Sequence, residues 1–196
     1  MEPKLSNHRA LRIVAAARDE FATRGYSGAR MDRIARAAGV NKQLLFYYYH
    51  SKRGLFQTVL QRGVQELEAA LTSLPNPSGR PLQRLRDVLA VHYDFLSAHP
   101  DLVTLLARSE RVEVAPFAPA IRRLVVLLAE GQGLGEVRDD LDPHLAAAQA
   151  LVLMVGYLRL ESLIAASAPP LGADESTLRE RWKRTAVDLV VNGVRA

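Results

Sequence analysis

The chain has 196 residues, 48% of them hydrophobic, with 26 Lys/Arg against 21 Asp/Glu and no cysteine. That apolar content supports a packed core and excludes wholesale disorder; the missing cysteines exclude disulfides, thiolate metal sites and cysteine nucleophiles. The charge is uneven: residues 1–73 carry 12 basic and 6 acidic side chains, and residues 74–196 carry 14 and 15. Between 33 and 65 stand Arg33, Arg36, Lys42, Lys52, Arg53 and Arg62, with no acid among them. A basic N-terminal third on a neutral body suggests a polyanion-binding head, with a solvated basic surface as the alternative.

The N-terminal segment has no uninterrupted apolar stretch of the signal-peptide kind, so none is expected. The most apolar run, 145–158, ends at Arg159 and is short for a membrane span. It reads as a buried helix, no membrane partner is expected, and a reducing, cytoplasmic setting fits the absence of cysteine.

Helical spacing recurs throughout and strand alternation is absent, so the fold class is all-α with about nine helices. Helix 1 starts after Ser6 or Asn7, carries Ala10, Val14, Ala17 and Phe21 as its apolar stripe, and stops at Gly25. Helix 2 covers 31–38, with Ile34, Ala35 and Ala38 inward and Gly39 as its break. Asn41 caps helix 3, 42–49. Ser51 caps helix 4, which carries Leu55, Phe56, Val59, Leu60, Val64, Leu67 and Leu71. The breaker cluster "PNPSGRP", 75–81, is the best domain boundary. Helices 5, 6 and 7 follow at 81–98, 101–110 and 117–131. A connection, "GQGLGEVRDDLDP", leads to helix 8, capped by Asp142 with Pro143 at its first position and running to 166. Helix 9 covers 175–194.

Helices 2 and 3 meet at a tight turn. Ala35 precedes Gly39 by four residues and Leu45 follows it by six, which is a helix-turn-helix spacing. The second helix holds four aromatic residues in a row, Phe46, Tyr47, Tyr48 and Tyr49. At about 100° per residue, Lys42, Leu45, Phe46 and Tyr49 share one arc and Gln43, Leu44, Tyr47 and Tyr48 the opposite one. The first arc is assigned to the core; a fully buried Phe46 would cost roughly 3–5 kcal/mol on truncation to alanine. The second arc can face a DNA groove: Gln43 toward adenine, Leu44 toward a thymine methyl, the tyrosines toward sugar and phosphate. Its alternative use is to cover a protein interface. Lys42 and Lys52 open helices 3 and 4, where ammonium and backbone N–H groups can meet phosphate together. Arg30 and Arg33 flank helix 2 as further phosphate candidates.

The segment "ARDEFATRGYSGARMDRIARAAGVNKQLLFYYYHSKRGLF", residues 17–56, resembles the TetR family of transcriptional regulators. The "F…GY" helix end, "IA…AGV", the aromatic-rich helix and "SK..LF" stand in order and at spacing over about 8–67. The resemblance implies a helix-turn-helix DNA-binding domain, 7–67, and a helical ligand-binding and dimerisation domain, 68–196. It implies a homodimer on a palindromic double-stranded operator, most often a repressor, released by a small-molecule effector and located in the cytoplasm at the nucleoid. Gln43, Leu44, Tyr47 and Tyr48 carry over as groove-facing residues and Lys52 as the phosphate lysine. Arg30 departs from the family's usual Thr or Ser, and Gln43 from a commonly small residue.

Helix 8 is apolar nearly all round from 145 to 163, and helix 9 has an apolar row at Leu178, Trp182, Ala186, Leu189 and Val190. One small monomer has difficulty burying both, so a dimer through helices 8 and 9 is expected. His92, Tyr93, His99, Arg108, Phe117, Tyr157 and Glu161 are candidate pocket residues. No catalytic set, metal site or cofactor is expected. An enzyme would need convergent carboxylates or Glu-x-x-His spacing, which is missing. A helical adaptor docking through Tyr47 and Tyr48 is separated from a regulator by salt-dependent DNA binding.

Overall fold

A computed structural model describes residues 7–74, 79–108, 118–167 and 175–196. Among these the chain is helical, in the order α1 (Asn7–Gly28), α2 (Met31–Ala37), α3 (Lys42–Tyr49), α4 (Lys52–Thr72), α5 (Pro81–Ala98), α6 (Pro100–Arg108), α7 (Ala118–Gly133), α8 (Pro143–Ser167) and α9 (Glu175–Val194). The expected cap at Ser6, most of the breaker cluster at 75–81 and the end of helix 6 fall outside the described residues. Two compact units form: residues 1–65 with 101–116, and residues 66–100 with 117–196.

In the first unit α1 buries Ile13, Ala17 and Phe21 completely, at helical spacing. This corrects the expected stripe: Val14 and Ala10 are only half-buried, because the face turns one residue earlier onto Ile13. Gly25, at φ 68° and ψ 171°, interrupts the helix in a backbone region that glycine adopts without steric cost. Phe21, Tyr26 and Phe56 then pack as an aromatic trio, with ring centroids 5.0 Å apart for Phe21–Phe56 and 5.2 Å for Tyr26–Phe56. α4 contributes Leu55, Val59, Leu60 and Val64, and α6 contributes Leu102, Val103 and Leu105. Arg18 of α1 donates through Nε and Nη2 to the Asp101 carboxylate, fixing the start of α6.

The second unit packs α5 against α7, α8 and α9. Its core includes Leu67, Leu71, Leu89, Tyr93, Leu124, Leu128, Met154, Tyr157, Val187 and Val191. Asp142 caps α8, its Oδ1 accepting from the amides of His144 at 2.7 Å and Leu145 at 3.3 Å. By length and composition alone Pro143–Leu160 suffices to cross a membrane, but Ala147, Ala150, Met154 and Tyr157 are buried in this core. The helix is not buried all round, however. Leu145, Val152, Leu160 and Leu163 are exposed on α8, and Leu189 on α9.

Candidate nucleic-acid interface

The turn between α2 and α3 is built from backbone bonds. The Val40 amide donates to Ala35 O at 2.9 Å and the Gly39 amide to Arg36 O at 3.1 Å, a Schellman ending for α2. It needs a left-handed residue, and Gly39 supplies it at φ 63°. Arg12 Nη2 donates to Ala38 O at 2.8 Å and ties the turn to α1. Asn41 Oδ1 then accepts from the Leu44 amide at 2.7 Å and starts α3. At the other end His50 takes φ 61° and its amide closes on Phe46 O at 2.9 Å. Ser51 Oγ accepts from the Gly54 amide at 3.0 Å and starts α4.

Leu45 is the residue that seats α3, with no exposed surface. Tyr48 and Tyr49 are half-buried, and burial pushes the Tyr49 phenol above its ordinary pKa. Gln43, Phe46 and Tyr47 are exposed, Phe46 at 41% and Tyr47 at 51%. Leu44 is intermediate. Phe46 is therefore not a core residue. Centred on Leu45, the buried sector takes in Tyr49 and Tyr48 within about 60° on either side, whereas Phe46 lies about 100° away. The same centring leaves Tyr48 half-buried, and its ring packs at right angles to that of Tyr47 with centroids 4.9 Å apart. The expected cost of truncating Phe46 falls accordingly. Its exposed ring joins Gln43 and Tyr47 on the outer face, and a wheel centred on Leu45 alone would have found it.

The basic side chains divide by what they already hold. The Arg33 guanidinium donates to Glu20 Oε1 at 2.6 Å and to Gly28 O at 2.7 Å, so it braces the end of α1. Arg30 makes no side-chain cap for α2; its backbone amide donates to Glu20 Oε1 at 3.0 Å and its residue is exposed. Lys42 pairs with Asp32 at 2.9 Å, both well exposed, so the pair is weak and exchangeable. Lys52 donates to Ser27 O at 3.2 Å and sits 4.8 Å from the Tyr26 ring centroid. It thus fastens α4 to the end of α1 beyond the Gly25 kink, a role the sequence did not suggest.

Burial alone would raise the Glu20 pKa, but the Arg33 bond and the Arg30 amide outweigh it and hold the carboxyl below its ordinary value. Asp101 is also lowered, its burial outweighed by Arg18. A depressed carboxyl stabilises above its unfolded pKa, about 4 for these groups, and that stability is lost as pH falls through the lower folded value. The urea midpoint should hold from pH 7 to pH 5.5 and drop below about pH 4. Glu20→Gln should make the acid drop shallower; an unchanged acid limb would contradict this assignment.

Over residues 13–59 the chain matches the family described as "Bacterial regulatory proteins, tetR family". It is 30% identical over 139 residues to the HTH-type transcriptional repressor NicS of Pseudomonas putida, covering 66% of each chain. It is 34% identical over 135 residues to the HTH-type transcriptional repressor SCO4008 of Streptomyces coelicolor, covering 65% of this chain and 67% of that one. The chain belongs to the TetR family. The match spans about two thirds of the length of those two relatives. Among solved structures, the transcriptional regulator SCO4942 of Streptomyces coelicolor superposes with a TM-score of 0.76 at 29% identity, covering 94% of this chain and 97% of that one. Like other TetR proteins, this one is a transcriptional regulator and not an enzyme, and α2 and α3 are its helix-turn-helix.

Of the candidate pocket residues, His92, Tyr93 and Tyr157 are buried in the second unit. His99 Nδ1 lies 2.6 Å from Phe95 O, and its ring stacks on the Phe95 ring at 4.2 Å. The side chains of Arg108, Phe117 and Glu161 lie outside the described residues. Among the described residues no three His, Cys, Asp or Glu side chains converge as a metal site.

Proposed function

We propose that the protein is a ligand-responsive repressor that binds a palindromic operator as a homodimer and leaves it when a small molecule binds. The observation that carries this reading is the outer face of α3, where Gln43, Phe46 and Tyr47 are exposed on a helix pinned by Leu45. Exposed rings on a rigid helix in a segment free of acids suit a major groove better than open solvent. Gln43, Leu44, Phe46, Tyr47 and Tyr48 would meet bases and sugars. Arg30, Lys42 and Lys52 would meet phosphate, and Arg33 would hold the frame that presents them. The DNA-binding domain is 7–67 and the ligand-binding and dimerisation domain 68–196. The dimer forms through α8 and α9, and its two α3 helices read operator half-sites whose major grooves lie about 34 Å apart on one face of the duplex. The protein acts in the cytoplasm, at the nucleoid.

The test is fluorescence anisotropy with a fragment from the gene's own upstream region against random DNA. Six phosphate contacts per dimer, from Arg30, Lys42 and Lys52, predict a log–log salt slope of roughly −5. Tyr47→Ala should remove the preference for the upstream fragment without moving the melting temperature. Lys52→Ala should flatten the slope by about 2 and also lower the melting temperature, since it frees α4 from Tyr26. No salt-sensitive preference for the upstream fragment would refute the reading.

A further inference from the structure

Three polar side chains belong to the second unit: His92 on α5, which is buried, and Glu68 on α4 and Arg123 on α7, whose side chains are 28% and 39% exposed. Their sequence neighbours Leu67, Leu89, Tyr93 and Leu124 belong to the apolar core. His92 is 1% exposed. Its Nδ1 lies 2.8 Å from Val88 O, and a carbonyl can only accept. Nδ1 therefore carries the proton and donates. Burial lowers the imidazole's pKa and keeps the ring neutral. Nε2 is left as a lone-pair acceptor, buried and without a hydrogen-bond partner. Arg123 Nη2 donates to Glu68 Oε2 at 2.7 Å, while Glu68 Oε1 is also buried and has no partner. The charges of Glu68 and Arg123 both act on His92, which places the three groups in one neighbourhood.

Buried acceptors are nearly always satisfied, because leaving one bare costs about 1–3 kcal/mol. Here two stand on different helices, near enough for the Glu68 charge to act on His92, and neither atom has a hydrogen-bond partner. We propose that His92 Nε2 and Glu68 Oε1 form the polar end of a ligand site for an uncharged, mainly apolar molecule bearing a hydroxyl or N–H donor. Both free atoms are acceptors, so an anionic ligand would find no donor there, and a cation would have to compete with Arg123 for Glu68. The assignment rests on the ligand-responsive reading for its biological meaning, but the site is testable without DNA.

The probes are matched pairs that differ by one donor: phenol and anisole, cyclohexanol and methoxycyclohexane, indole and 1-methylindole. Each is titrated into the full chain and followed by its shift of the melting temperature. At least one donor-bearing member should raise the melting temperature and its methylated twin should not. His92→Phe should weaken that binding at least about tenfold. Glu68→Gln keeps an oxygen for Arg123 and should weaken it similarly, which preserves the test where His92→Phe fails to fold. The proposal is overturned by no response to any donor, by equal binding of the methylated twins, or by undiminished binding in the variants. A buried water alone at the site predicts the first of these. Release of the upstream DNA fragment is measured separately: binding without release defeats the regulatory reading and leaves the site standing, and DNA binding with no response to any probe does the reverse.

Discussion

Gly54→Ala should lower the melting temperature by roughly 6–12 °C and abolish preferential DNA binding. A β-carbon on Gly54 would lie 2.2 Å from the carbonyl oxygen of Tyr49, far inside van der Waals contact. The obstacle is backbone, not the end of a flexible side chain, so relief requires moving the last turn of α3 away from the first turn of α4. That junction is tightly determined: His50 sits at positive φ, and the Ser51 cap ends on the Gly54 amide itself. Opening it strains the cap and tilts the helix that carries Gln43, Phe46 and Tyr47. An overpacked site costs about 1–3 kcal/mol, and the rigid contact places this one at the upper end. Gly133→Ala is the matched control, since nothing lies within 4 Å of the β-carbon it would gain; it should be neutral or slightly stabilising. Differential scanning fluorimetry and anisotropy on both variants decide the point. Wild-type behaviour in Gly54→Ala would mean that the junction between α3 and α4 yields freely.

The junctions of the helix-turn-helix were legible in the sequence because each is made by a local residue acting on its neighbours. Asn41 and Ser51 accept amides three residues on, and Gly39 takes a backbone conformation that few other residues tolerate. Such devices leave marks at fixed offsets. The phase of a helix is harder to read when several adjacent residues are apolar. Val14 and Ile13 are equally greasy, and only packing chose Ile13; in "LLFYYY" only packing chose Leu45 as the pivot and turned Phe46 outward. Least legible were contacts with large sequence separation. The Arg18–Asp101 pair that fastens α6, the Lys52–Tyr26 contact and the Glu68–Arg123 pair all join segments whose spacing carries no period. A lysine beside a recognition helix looks the same on paper whether it awaits phosphate or already covers a tyrosine.

Val152→Glu should convert the protein to a monomer at micromolar concentration and weaken operator binding at least about 100-fold, while each chain stays folded. Leu145, Val152, Leu160 and Leu163 are exposed at 63%, 71%, 50% and 62%. At about 100° per residue they fall within an arc of about 80°, so they form one stripe and not scattered apolar sites. Gly156 lies on the same arc with open space around it, which lets a second helix approach closely. An apolar stripe of this length is costly to leave in water and suited to a two-fold partner that presents the same stripe, and Leu189 on α9 is exposed as well. A carboxylate at its centre would have to be desolvated twice in a symmetric pair, once per protomer, with Arg159, two turns along the helix, as the cation nearest to it in angle on α8. In a single chain the same carboxylate stays in water, so the fold loses almost nothing. Sedimentation velocity reads the mass and circular dichroism the helix content. A variant that remains dimeric, or a wild-type chain that is already monomeric, would remove α8 from the interface. A monomeric, folded variant with operator affinity intact would instead show that one helix-turn-helix suffices, and that the stripe serves something other than DNA reading.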